Sequence, residues 1–369
     1  MRPIDWTGLR AQFPALQNFT YLNTATYGQA PVSAVAALNA HLTHRDERAC
    51  ADFLSWFDDL DRLRADIGRL IGCTGDDIAF LPTASAALSL LIGGIDWQSG
   101  DRVVTLPNEF PNNLYYPALL GARGVEFVET PWERFWEEAT APRTRLVALS
   151  SVSYITGFRA PLEQIARELN QRGILFYVDG TQSVGALRMD VSAFEPSMMA
   201  VDAYKWMLTP NGAGFAYVHP RVRQWLPPSV IGWRSHHEWR SVDSLHTGAP
   251  EFSTKAEKYE GGMLPFPVLY AMHEVVRLML ELGPEAIEQR VMELSNDLRV
   301  RLRSMGAEVL HEGAPIVAAR FPDASALARR LKEHGVLVSA RHGNLRISPH
   351  FYNNPADLDR FESTVQDIR

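Results

Sequence analysis

Short apolar runs alternate with helical periodicity through the middle of the chain. Ile78–Leu81, Arg102–Leu106, Val125–Glu129, Leu146–Ser150, Leu175–Asp179, Met199–Asp202 and Ala213–Val218 each read as a strand. Between them lie segments such as Pro161–Arg172, where Leu162, Ile165, Ala166 and Leu169 recur at the spacing of one helix face. Strand–helix units of this kind predict an α/β fold with a mostly parallel seven-stranded sheet, covered by helices on both faces. Beyond Pro265 the pattern changes to long helices over Val268–Leu282 and Glu285–Ser304. A strand over Ile316–Phe321, a helix over Ala324–His334, short strands over Val336–Ala340 and Asn344–Ile347, and a helix over Asp357–Asp367 follow. This predicts a large domain over 31–264 and a small α+β C-terminal domain over 265–369.

The 369 residues suit two domains, and 46% hydrophobic with 21% charged residues is an ordinary globular composition. A net charge of -7 offers no bulk attraction for nucleic acid or an anionic membrane, so neither is expected as a partner. The opening Met1-Arg-Pro-Ile-Asp-Trp6 lacks the pattern of a signal peptide, and no apolar run is long enough to span a membrane. Cys50 and Cys73 are too few for a disulfide framework, which predicts a reducing, cytoplasmic setting. His236, His237, His342 and His350 lack metal-ligand spacing, so no metal is expected.

In sheets of this kind ligands gather at the carboxyl ends of the strands. One apolar run ends in Asp179, and a second, Met199-Ala-Val-Asp-Ala-Tyr-Lys205-Trp, ends in a lysine. Pyridoxal phosphate chemistry needs this pair: the lysine forms a Schiff base, and the carboxylate keeps the pyridine nitrogen protonated. Apolar surroundings such as Trp206 would lower the lysine pKa and ease imine formation.

These segments, together with Tyr21-Leu-Asn-Thr-Ala-Thr-Tyr-Gly28 and Arg346-Ile-Ser-Pro-His-Phe-Tyr-Asn353, resemble the class V aminotransferase family. These are fold-type I pyridoxal phosphate enzymes and include cysteine desulfurases, kynureninase and isopenicillin N epimerase-like proteins. The resemblance covers nearly the whole chain. It implies that Lys205 is the Schiff-base lysine, Asp179 the partner of the pyridine nitrogen and Gln182 the donor to the phenolic oxygen. Thr83, Ala84 and Ser85, at a helix start, would meet the phosphate with Tyr204, and Phe110 would stack on the ring. Arg346 would clamp the substrate carboxylate, with Arg341 as second candidate. Asn23, in an N-terminal segment over 1–30, and Tyr154 would line the substrate site. A homodimer is implied as well.

Three departures from the family pattern stand out. Asp202, close to the phosphate candidates, would repel a phosphate and is expected to point elsewhere or into solvent. Gly261-Gly262-Met263 lacks the hydroxyl that family dimers extend towards the partner's phosphate. Finally, no cysteine follows Cys73, from which a cysteine-nucleophile desulfurase is expected to be excluded. The resemblance, nearest to the subgroup of isopenicillin N epimerase-like proteins and carbon–sulfur lyases, implies β-elimination from an α-amino acid by a carbon–sulfur lyase acting through a Cα carbanion. Transamination and epimerisation are alternatives, and a non-catalytic cofactor-binding protein is a further one.

Overall fold

The computed structural model describes residues 4–368; residues 1–3 and 369, the extremes of the expected terminal segments, lie outside the described residues. A two-residue strand, β1 (Thr20–Tyr21), precedes the main sheet. That sheet contains β2 (Ile78–Leu81), β3 (Arg102–Thr105), β4 (Glu126–Glu129), β5 (Thr144–Ser150), β6 (Leu175–Asp179), β7 (Met198–Asp202) and β8 (Gly214–Val218). Their spatial order is β2-β8-β7-β6-β5-β3-β4. Only β8 runs against its neighbours, β2 and β7; the other pairs are parallel. Every residue of β2, β7 and β8 is buried, as continuous apolar strands covered on both faces should be. Helix Leu162–Gln171 turns Ile165, Ala166 and Leu169 into the core, the face anticipated from its periodicity.

Four further strands, β9 (Glu308–Val309), β10 (Val317–Arg320), β12 (Ser339–Arg341) and β13 (Asn344–Ile347), form an antiparallel sheet in the order β12-β13-β10-β9. The run expected as one strand over Val336–Ala340 is divided. Its first part, β11 (Val336–Leu337), leaves this sheet to pair in parallel with β1. Residues 20–21 are thereby fixed beside the C-terminal sheet.

Helices Val32–Glu47 and Phe53–Ile71 were not anticipated. Phe53–Ile71 buries Trp56, Phe57, Leu60, Leu63, Ile67 and Ile71 along one face and ends on Gly72 in the left-handed conformation, a C-terminal stop only glycine takes without strain. Helix Phe266–Leu282 packs on both: Trp56 meets Phe266 at 5.4 Å and His41 stacks on Tyr270 at 4.4 Å between ring centroids.

A buried ion network ties this layer to the sheet. Glu260 accepts two bonds from Arg64 (2.6 and 2.7 Å), one from Arg234 (2.7 Å) and one from the backbone N–H of Phe80 (2.8 Å). Arg234 is sandwiched between Phe57 and Trp239, 4.8 and 4.6 Å from the ring centroids. Breaking a buried network of this kind by removing one partner costs about 3–5 kcal/mol, because the remaining charges stay desolvated. The network holds β2, and hence the turn to Thr83, in fixed relation to the 256–263 segment.

Candidate active site

The register of the parallel strands sets Ser150 opposite Asp179 and Asp179 opposite Ala200. β7 continues past that line to Asp202, then turns back through Lys205; Leu208 N–H bonds to the Lys205 carbonyl (3.1 Å) and Thr209 N–H to that of Ala203 (3.1 Å). Leu208 adopts a left-handed φ of 52° while fully buried, a conformation held only because its surroundings dictate it. Lys205 is 7% exposed, and its Nζ lies 5.2 Å from the Phe110 ring centroid and 5.5 Å from that of Tyr204. Among the described residues no carboxylate lies within ion-pair distance of it. Burial lowers its pKa, and Asp179 and Asp202 oppose that shift.

Both ends of the chain hold the lysine turn. Gly28 N–H donates to the Tyr204 carbonyl (2.9 Å), and His350 Nε2 bonds to the Trp206 carbonyl (2.9 Å). His350 Nδ1 accepts from Phe351 N–H (2.7 Å), so Nε2 carries the proton; burial pushes the imidazole pKa down to about 3 and keeps it neutral. A Cβ at Gly28 would sit 1.9 Å from the Lys205 carbonyl oxygen. Gly28→Ala is therefore expected to destabilise the protein by about 1–3 kcal/mol and weaken cofactor retention, since only backbone movement at Lys205 relieves the overlap. Thermal unfolding and cofactor titration check this; an unchanged Tm and affinity would count against the contact.

Gln182 is already engaged. Its Oε1 accepts from Trp206 Nε1 (2.8 Å) and its Nε2 donates to the Ala25 carbonyl (3.0 Å), leaving one N–H for the phenolic oxygen expected from sequence. Asp179 is buried at the end of β6, and one oxygen accepts from Thr181 N–H (3.0 Å).

Phe110 owes its position to a residue the sequence did not single out. Asn108 takes a left-handed φ of 59°, and buried Glu109 then docks the loop on the end of β5. Its carboxylate accepts from Ser150 N–H (2.8 Å) and Asn113 Nδ2 (3.0 Å) and pairs closely with the Ser150 hydroxyl. Phe110 meets Tyr154 edge-to-face at 5.2 Å. A glutamate in a polar loop reads as solvated; only the packing shows otherwise.

Arg346 is 1% exposed. Its Nε donates to Ser339 Oγ (3.1 Å), Nη1 to the Tyr154 carbonyl (2.8 Å) and Nη2 to the Thr26 hydroxyl. One N–H on each terminal nitrogen remains beyond these bonds. Thr26 donates in turn to Asn23 Oδ1 (2.9 Å), and Arg341 reaches Thr26 at 3.5 Å. Burial and Arg341 push the Arg346 pKa down to about 9. No carboxylate lies within ion-pair distance of either arginine among the described residues. Two cations without an acid, one deeply buried, suit an anionic ligand. Thr26 and Ser339, which fix the guanidinium plane, were not singled out from the sequence; Thr26 lies inside the Tyr21–Gly28 segment, which was the available signal.

At the expected phosphate position, Thr83 caps helix Ala84–Gly94 by accepting from Ala86 N–H (3.1 Å), and the Ser85 hydroxyl donates to Asn112 Oδ1 (2.6 Å). Asp202 points neither away nor into solvent: it is buried, and its Oδ1 accepts from Ala84 N–H at 2.8 Å. Elsewhere, ligand atoms of His236, His237 and Glu238 lie within 4.8 Å of one another. His236 Nδ1 already accepts from Glu251 N–H (3.1 Å), which leaves its other nitrogen protonated.

Pyridoxal phosphate fits this donor set: a buried amine without an acid partner, a carboxylate at a strand end, an aromatic face and an unpaired guanidinium fork. The family model described as aminotransferase class-V matches residues 21–361. Isopenicillin N epimerase of Streptomyces clavuligerus is 28% identical, over 99% of this chain and 98% of its own. A probable cysteine desulfurase of Methanothermobacter thermautotrophicus is 24% identical, over 98% and 97%. Among solved structures, a C-DES variant with glycine covalently linked to its PLP cofactor superposes with a TM-score of 0.89 at 22% identity, over 97% of this chain and 99% of that one. That likeness shows the fold, the fold-type I architecture. The relatives correct one expectation. Chains named as cysteine desulfurases align along almost the full length, so the missing late cysteine does not set this protein apart from them, and the narrower assignment built on that exclusion falls. A cysteine on one loop is a local feature, whereas the likeness runs through the whole chain.

Proposed function

Since the chain belongs to the aminotransferase class-V family, whose members are pyridoxal phosphate enzymes, we propose that it removes the Cα proton of an α-amino acid held by its carboxylate at Arg346. The observation that carries this reading is the buried Arg346 fork, free of any acid partner and close enough to Lys205 for the two charges to interact. The bound cofactor supplies an electron-withdrawing ring that spreads the charge left at Cα.

In this reading Lys205 holds the cofactor and, once released, acts as general base. Burial leaves more of its amine unprotonated near neutral pH than in a free lysine. Asp179 places a negative charge at the pyridine-nitrogen end, Phe110 packs against the ring, and Gln182 offers its remaining N–H. Tyr204 and the helix start at Thr83–Ser85 face the phosphate. Asn23 and Tyr154 line the substrate side. Exposed Tyr115, Leu119, Val230, Ile231 and Met263 provide apolar surface for a homodimer. Two unpaired cysteines go with a cytoplasmic setting. Among the described residues no helix is long and apolar enough to cross a membrane.

Incubation of the holoenzyme in D2O with cysteine, cystine and other amino acids, followed by NMR, tests the reading. Loss of the Cα proton signal is expected for at least one of them, and alanine formed from cysteine, with its sulfur taken up by an added thiol, would identify desulfuration. Retention of every Cα proton would overturn the reading.

A further inference from the structure

Asp202 occupies a position that its chemistry makes awkward. Its carboxylate accepts from Ala84 N–H at 2.8 Å, while its own N–H is fixed to Thr181 Oγ1 at 3.0 Å. Ala84 opens an eleven-residue helix whose leading amides form the anion-binding end of its dipole. A buried carboxylate thus already sits where a phosphate oxygen would be received, on one of the three residues expected to receive it. The groups facing it are Asp179 on β6, Lys205 and Tyr204 on the lysine turn, and Tyr177 on β6, whose hydroxyl donates to the Ala84 carbonyl at 3.1 Å. From the helix, Thr83–Ser85 contribute no ionisable side chain.

We propose that Asp202 is a resident anion at the phosphate subsite, which takes up a proton when a phosphate binds, so that retention of the cofactor is linked to pH. The proposal rests on the reading that places the phosphate at Thr83–Ser85. Burial and the nearby Asp179 already raise the carboxyl pKa above its ordinary value, with Lys205 opposing them. A dianion brought to the same helix end raises it further by like-charge repulsion. The sign follows: with a higher pKa in the complex than in the free protein, binding takes up a proton between the two values. Affinity therefore falls as pH rises through that window, by up to about tenfold per pH unit.

The test uses pyridoxamine 5′-phosphate, which cannot form the covalent bond to Lys205, titrated calorimetrically into apoprotein from pH 6 to 9 in buffers of different ionisation enthalpy. Asp202→Asn keeps an oxygen acceptor for the Ala84 N–H, and Thr83 caps the helix in every variant; Asp202→Ser is the second variant. Within the window wild type is expected to take up a proton that neither variant takes up, and its affinity should fall relative to theirs as pH rises, by up to about tenfold per pH unit. Pyridoxamine, without the phosphate, should show no such difference. If the phosphate strengthens binding but proton uptake and affinity are the same in all three proteins, the linkage is overturned while the phosphate placement stands. If the phosphate adds nothing to affinity in any of them, the placement fails and the proposal with it.

Discussion

Lys205→Ala is expected to give a folded protein that lacks the visible absorbance of the holoenzyme and exchanges substrate Cα protons about 10³-fold more slowly or worse. Two losses combine. The covalent anchor disappears, leaving the cofactor held by non-covalent contacts alone. The positioned base disappears with it, and general-base catalysis of this kind contributes typically about 10²–10⁴-fold. Folding should survive, because among the described residues the Lys205 ammonium has no ion-pair partner to orphan, and the turn is closed by backbone bonds to Gly28 and His350 that alanine retains. An absorbance spectrum, a thermal melt and the deuterium-exchange assay read the three parts separately. A variant that keeps both the colour and the exchange rate would remove Lys205 from its role.

Arg346→Ala is expected to raise KM for the amino acid about 10²-fold, with a smaller effect on kcat. The two N–H groups left over by Ser339, Thr26 and Tyr154 match a carboxylate, and hydrogen bonds to charged groups contribute about 1.5–3 kcal/mol each. Arg346→Lys restores a charge without the fork and should recover only part of the loss. The KM-against-kcat split is the measurement, since a grip on the carboxylate made equally in ground and transition states appears in KM. An unchanged KM in both variants would move the carboxylate site elsewhere, with Arg341 the first alternative.

The strands were legible because a buried parallel sheet forces apolar residues onto both faces, so β6 and β7 appear as unbroken runs whose ends are marked by Asp179 and, past β7, Lys205. Helix Leu162–Gln171 was legible from one apolar stripe. Helix Val32–Glu47 was not: it fully buries only Ala34 and His41, so its pattern carries little periodic signal. The division of Val336–Ala340 depends on pairing with β1, more than three hundred residues earlier, which no local window contains. In the site, residue types at strand ends pointed to Lys205 and Asp179, and the family resemblance to Arg346. The atoms that position them did not show: Thr26 beneath Arg346, Glu109 behind Phe110 and the turn of Asp202 towards Ala84 are tertiary contacts between distant segments. Gln182 illustrates the same limit, since its residue type suits the cofactor but its engagement with Ala25 and Trp206 depends on three segments meeting.

The grip on the lysine turn also orders events in time. Lys205 belongs to a segment that ribosomes make well before the one carrying Ser348 and His350, yet His350 closes the turn and Ser348 accepts the N–H of Ala25 beside it. A nascent chain therefore has no assembled lysine site when the sheet that bears the lysine is complete. Contacts this far apart in sequence close late, after their loop entropy has been met by the rest of the fold. A cofactor captured at Lys205 would therefore report on chains synthesised through His350 and folded there.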